Sequence, residues 1–207
     1  DLCYQNLPVT VIGMGAGLIY STLGSTHHSA EDIAVASALP NMQVIAPCDP
    51  SEMKLATTWC AKYSKGPVYM RLGKAGEPDL TQNAEEFKFG KIRYLHKGNK
   101  IAIITYGITM NLASQIKKHF NDNGLNPSLI SNHTIKPLDV NGLKKTLKNY
   151  EKIIVLEESI PHGGLSSRLK EIAYDNGIIS KLDCYTLKDK FINFYGNHQE
   201  LLEKHNF

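Results

Sequence analysis

Two adjacent histidines, His27 and His28, sit in the small-residue run GSTHHSAED at 24–32, which leads into a helix start. An imidazole exchanges protons near neutral pH, so the pair is a candidate for acid–base chemistry. In an extended backbone successive side chains alternate in direction, so one ring can face a ligand while the other packs. The free N–H groups of the helix that follows favour an anion, and Glu31 and Asp32 partly offset that attraction. The alternative is a loop stiffened by two hydrogen-bonded imidazoles. Arg71 is the second candidate. It ends the apolar run PVYMRL at 67–72 and precedes Gly73 and Gly76. A charge among apolar strand residues must be paired if it is buried. At the carboxyl end of a parallel strand it suits a phosphate or carboxylate. The alternative is a salt bridge at a domain border, with Glu77 as partner.

Other motifs carry less chemistry. Gly13-Met14-Gly15-Ala16-Gly17 follows a strand-like run, but Leu18 stands where a dinucleotide fingerprint needs its last glycine. The segment EESIPHGG at 157–164 holds Ser159 and His162 without a nucleophile-elbow pattern, and reads as a packed turn with a domain-contact role. His96, His119, His133, His198 and His205 form no pair at metal-ligand spacing, so no metal site is expected and these residues read as surface or structural. Cys3, Cys48, Cys60 and Cys184 are scattered, as reduced thiols of a cytoplasmic protein are.

Positioning these residues requires an α/β framework. Strands are expected at 8–13, 43–46, 67–72, 89–96, 100–106, 127–131, 152–157 and 179–185. Helices are expected at 30–39, from Asp49 or Ser51 to Tyr63, and at 110–123, 140–148 and 165–176. Ser29 caps the first and Gly124 stops the third. This alternation predicts two three-layer α/β/α units with mainly parallel sheets. Residues 73–87 are polar and aperiodic, as an interdomain linker is. The net charge of +3, with no basic block, argues against nucleic acid, and no apolar run reaches the length of a membrane span.

Five segments in order resemble the C-terminal half of the transketolase family. They are GSTHHSAEDIAVASALPNMQVIAPCDPSEM at 24–53, GPVYMRLGKAG at 66–76, KIAIITYG at 100–107, NHTIKPLD at 132–139 and VLEESIPHGGL at 155–165. The family comprises thiamine-diphosphate enzymes, with deoxyxylulose-phosphate synthase and the β subunits of 2-oxoacid dehydrogenases among its relatives. The double histidine is most similar to the split transketolases, whose two halves are separate polypeptides. The resemblance implies part of a pyrimidine-binding domain at 1–73, a linker at 74–86 and the family's C-terminal domain at 87–207. It gives His27 a catalytic and cofactor-binding place beside the thiazolium and aminopyrimidine. It gives Arg71 a contact to the substrate phosphate, with His28 as a second substrate-binding residue.

The implied reaction is transfer of a two-carbon ketol unit between sugar phosphates. Thiamine diphosphate and Mg2+ belong to the complete enzyme, with their diphosphate and metal ligands on an N-terminal half that is the expected partner. A homodimer or heterotetramer is the expected assembly, and the chain alone is expected to be inactive. Three departures stand out. The family's activating glutamate and ring-packing aromatics lie upstream of Asp1. Leu23 occupies the place of an acid found in sugar-using members. No histidine stands near Gly13. A chain like the E1 β subunit of 2-oxoacid dehydrogenases, one like deoxyxylulose-phosphate synthase, and a non-catalytic assembly module remain the alternatives.

Overall fold

Short apolar runs between amphipathic helices form the strands of this chain, and the central ones are buried on both faces. The computed structural model describes residues 1–179 and 181–207. In the first sheet, β1 (Thr10–Met14), β2 (Gln43–Ile45) and β3 (Val68–Leu72) are parallel, in the order β1-β3-β2. Helix α1 (Asp32–Ala38) begins later than the sequence suggests. Ser29 does not cap it, because Ser29 is tied back to Gly17 in an isolated antiparallel bridge. Helix α2 (Pro50–Tyr63) is capped by Asp49, whose carboxylate accepts from Glu52 N–H at 2.7 Å, and Pro50 supplies a helical φ at the first position.

The second sheet runs β4-β6-β5-β8-β9, from β4 (Arg93–His96), β5 (Ile101–Thr105), β6 (Ser128–Ser131), β8 (Lys152–Glu157) and β9 (Lys181–Thr186). Only β4 is antiparallel, at the edge. The strand expected at 179–185 is β9, and Ser180 lies outside the described residues. Alternation along β5 and β8 sorts the core. Ala102, Ile104, Ile153 and Val155 face a cluster with α1, α4 (Val140–Asn149) and α5 (Leu165–Asp175), while Ile103 and Ile154 face α3 (Thr109–Asp122).

The first of those clusters also takes in Ile33, Ala36, Val44 and Ala46 from the first sheet's layer, so one core joins the two units. A strand not foreseen from sequence strengthens the joint. β7 (Thr134–Lys136) crosses from the second half and pairs antiparallel with β2, completing the order β1-β3-β2-β7. The segment between the units is pinned as well. Asp49 accepts from Leu80 N–H, Thr81 N–H and the Thr81 hydroxyl at 2.6–2.8 Å. Arg93, 4% exposed, pairs with Glu52 at 3.2 Å. Burial raises the Glu52 carboxyl above its ordinary range, against the pull of the Cys48 and Ser131 hydrogen bonds and of Arg93. A second unforeseen element, α6 (His198–His205), packs Leu201 with Leu187, Ile192 and Leu18.

Candidate active site

The histidine loop leaves the carboxyl end of β1 and closes on itself. Gly17 N–H donates to Ser29 O at 3.1 Å, and Ser29 N–H returns a bond to Gly17 O at 2.8 Å. Between them lie two single 3-10 turns, Ser21–Leu23 and Ser25–His27. Gly17 is required here. Its φ is +59°, and a Cβ would overlap the Glu158 carboxylate.

The two imidazoles part company at His28, whose backbone is extended. His27 is exposed, with Nδ1 3.1 Å from the Thr26 hydroxyl and Nε2 without a partner among the described residues. His28 is half-buried, and its buried Nε2 has no partner among the described residues. It lines a cavity of about 260 Å³ with Leu18, Ile160, Lys190, Ile192 and His205. Burial lowers the His28 pKa; the Ser21 backbone opposes this and the neighbouring His27 adds to it. His205 is pushed down to about 4 by burial and by the charges of Lys190 and Lys188, and its Nδ1 accepts from Lys188 N–H at 2.8 Å.

Arg71 stands on β3 opposite Gly13 of β1. Its guanidinium is 1% exposed and its ion-pair partner is Asp32, Nε to Oδ2 at 3.0 Å. Glu77 instead accepts from Lys74 N–H at 3.0 Å. Asp32 also accepts from the Tyr69 hydroxyl at 2.7 Å. Nη2 of Arg71 donates to Ser29 O and to Glu158 O, both at 2.8 Å. Burial alone would lower the Arg71 pKa, but the Asp32 carboxylate and its neighbours outweigh burial and raise it. The structure thus brings Arg71 to the base of the histidine loop and keeps it out of the cavity that His28 lines.

The acidic turn after β8 is structural, as its sequence suggests. Glu157 accepts from Leu165 N–H, Ser166 N–H and the Tyr106 hydroxyl at 2.8–2.9 Å, holding the start of α5. Glu158 accepts from Leu18 N–H at 3.0 Å and meets His198 Nε2 at 2.9 Å. Burial works against protonation of His198, yet Glu158 raises its pKa. Sequence reasoning leaves His198 out of the site. The signal that places it is the capping box of Asn197 and Glu200, which fixes the start of α6.

These features define a class: a two-sheet α/β protein that carries a double-histidine loop braced by its second sheet. Residues 1–76 match the family model for the transketolase pyrimidine-binding domain, and residues 90–203 match that for the transketolase C-terminal domain. The chain belongs to the transketolase family. It is 34% identical over 179 residues to an apulose-4-phosphate transketolase subunit of Phocaeicola vulgatus, covering 86% of this chain and 57% of that protein. It is 30% identical over 205 residues to the corresponding protein of Actinobacillus succinogenes, covering 99% of this chain and 66% of that protein. Among solved structures it is similar to a split-gene transketolase described as an inactive β4 tetramer, with a TM-score of 0.86, 28% identity, and coverage of 99% of this chain and 64% of that one. The chain therefore spans a little over half to about two thirds of these relatives.

Proposed function

We propose that this chain is the C-terminal portion or subunit of a thiamine-diphosphate-dependent transketolase, moving a two-carbon ketol unit between sugar phosphates and working only together with an N-terminal half or subunit. The observation that carries this reading is the exposed His27 on a braced loop that leaves a bare edge strand. β1 pairs only with β3 among the described residues, and Val9, Val11, Ile12 and Met14 on and beside it are 39–60% exposed. A free apolar edge of this kind suits cover by further protein, from the same polypeptide or another. The family membership and the naming of the relatives as subunits support a partner half.

The residues present fit one side of the cofactor. His27 and Thr26 offer a polar wall, while no carboxylate bonds His27 among the described residues. Bound thiamine diphosphate supplies a carbanion-stabilising centre. His27 would hold or move a proton at Nε2, and the bound side would exclude water. Mg2+ and the diphosphate belong to the partner half, and the assembly is a homodimer or heterotetramer. The four free thiols suit a cytoplasmic setting. No helix among the described residues is long and apolar enough to cross a membrane. The test is a substrate panel on the reconstituted complex. Turnover of ketose phosphates, with 2-oxoacids left untouched, is the expected result; the reverse preference would replace ketol transfer with acyl transfer.

A further inference from the structure

The loop from Gly17 to Ser29 closes through two backbone hydrogen bonds, so the position of His27 depends on what holds that base. Two side chains hold it. Arg71 Nη2 donates to Ser29 O on the loop and to Glu158 O after β8. Glu158 Oε2 accepts from Leu18 N–H on the other strand of the base. Arg71 is itself fixed by Asp32, and Asp32 by Tyr69. Through Nε and Nη2 the planar guanidinium meets three acceptors, on Asp32, Ser29 and Glu158, that a single ammonium cannot reach together, while Nη1 is buried without a partner among the described residues. At 1% exposure, burial closes the whole guanidinium, Nη1 included, off from an anion in solution.

We infer that Arg71 is a positioning residue: with Asp32 it locks the base of the histidine loop to the end of β8 and so sets where His27 stands, instead of contacting a substrate phosphate. Asp32 shares this positioning role, because its carboxylate holds Nε of the buried guanidinium. Recognition of a substrate phosphate then falls to other groups of the complete enzyme. The lock is a property of this chain, and only its kinetic consequence rests on the proposed function.

Hydrogen exchange on the whole chain reads the lock without any turnover. Arg71→Lys keeps the charge and loses the fork, and Asp32→Asn keeps the shape and loses the charge. Both are expected to speed amide exchange across residues 17–30 by about tenfold or more, with α3 and β5 unchanged. Millimolar inorganic phosphate is expected to leave wild-type exchange unaltered. Unchanged loop exchange in both variants, or phosphate protection of the wild-type loop, would overturn the inference. In the reconstituted enzyme both variants should lower kcat by the same factor for phosphorylated and unphosphorylated donors. A rise in KM confined to the phosphorylated donor would contradict it. If the wild-type complex transfers no ketol unit, the proposed function falls while the exchange experiment still decides the lock.

Discussion

Single residues here carry distinct and separable roles. His27→Ala in the complete enzyme should lower kcat by about 10²-fold or more, as removal of an acid–base imidazole does, and steady-state kinetics reads it. Wild-type turnover would leave the loop a structural feature. Gly17→Ala forces a positive φ on a residue with a Cβ and pushes into Glu158; denaturant titration should show a loss of at least about 2 kcal/mol.

Buried histidines are expected to steepen the acid limb of the stability–pH curve. His133, stacked on Phe87, is held down to about 3 by burial and the charge of Arg93. It is neutral when folded and takes up a proton when unfolded, so its contribution falls as pH drops from about 6.5 toward about 3. His133→Phe should flatten the stability–pH curve in that window, and a curve as steep as wild type would show that another group sets it. At this scale the sequence points to His27, His28 and Arg71, and the structure puts all three at or beside one loop. Asp32 as the partner of Arg71 is not readable, because the ion pair spans 39 positions and depends on the turn that delays the start of α1.

Elements with a strong pattern are readable, and those set by tertiary context are not. β8 is bounded in full by KIIVLE, an apolar run between polar flanks. β7 has three residues and one buried apolar side chain, too short for any period; it exists because β2 pairs with it and Ala46 N–H donates to His133 O just before it. α6 follows an irregular stretch, and its local signals are the capping box at its start and the basic last turn and left-handed Asn206 at its end. The linker at 74–86 reads as loose because its bonds go to a distant cap. Asp49 serves both α2 and that segment through four hydrogen bonds. Asp49→Ala should cost about 2–4 kcal/mol by thermal denaturation and open residues 79–82 to proteolysis. A loss under about 1 kcal/mol would show that the segment is held by other contacts.

Across the whole molecule, one core, a crossing strand and a set of buried polar links join two sheets into a single support for the histidine loop. The bare edge of β1 and the exposed His27 lie on the side this chain leaves open. The composition of the chain holds no sign of this open face; it follows from where the apolar side chains of β1 point. The most direct measurement is thiamine-diphosphate-dependent two-carbon transfer by the purified 207-residue chain, with and without its N-terminal half. No turnover alone and turnover on reconstitution is the expected result. Ketol transfer by the chain alone would contradict the claim that it holds half of a site.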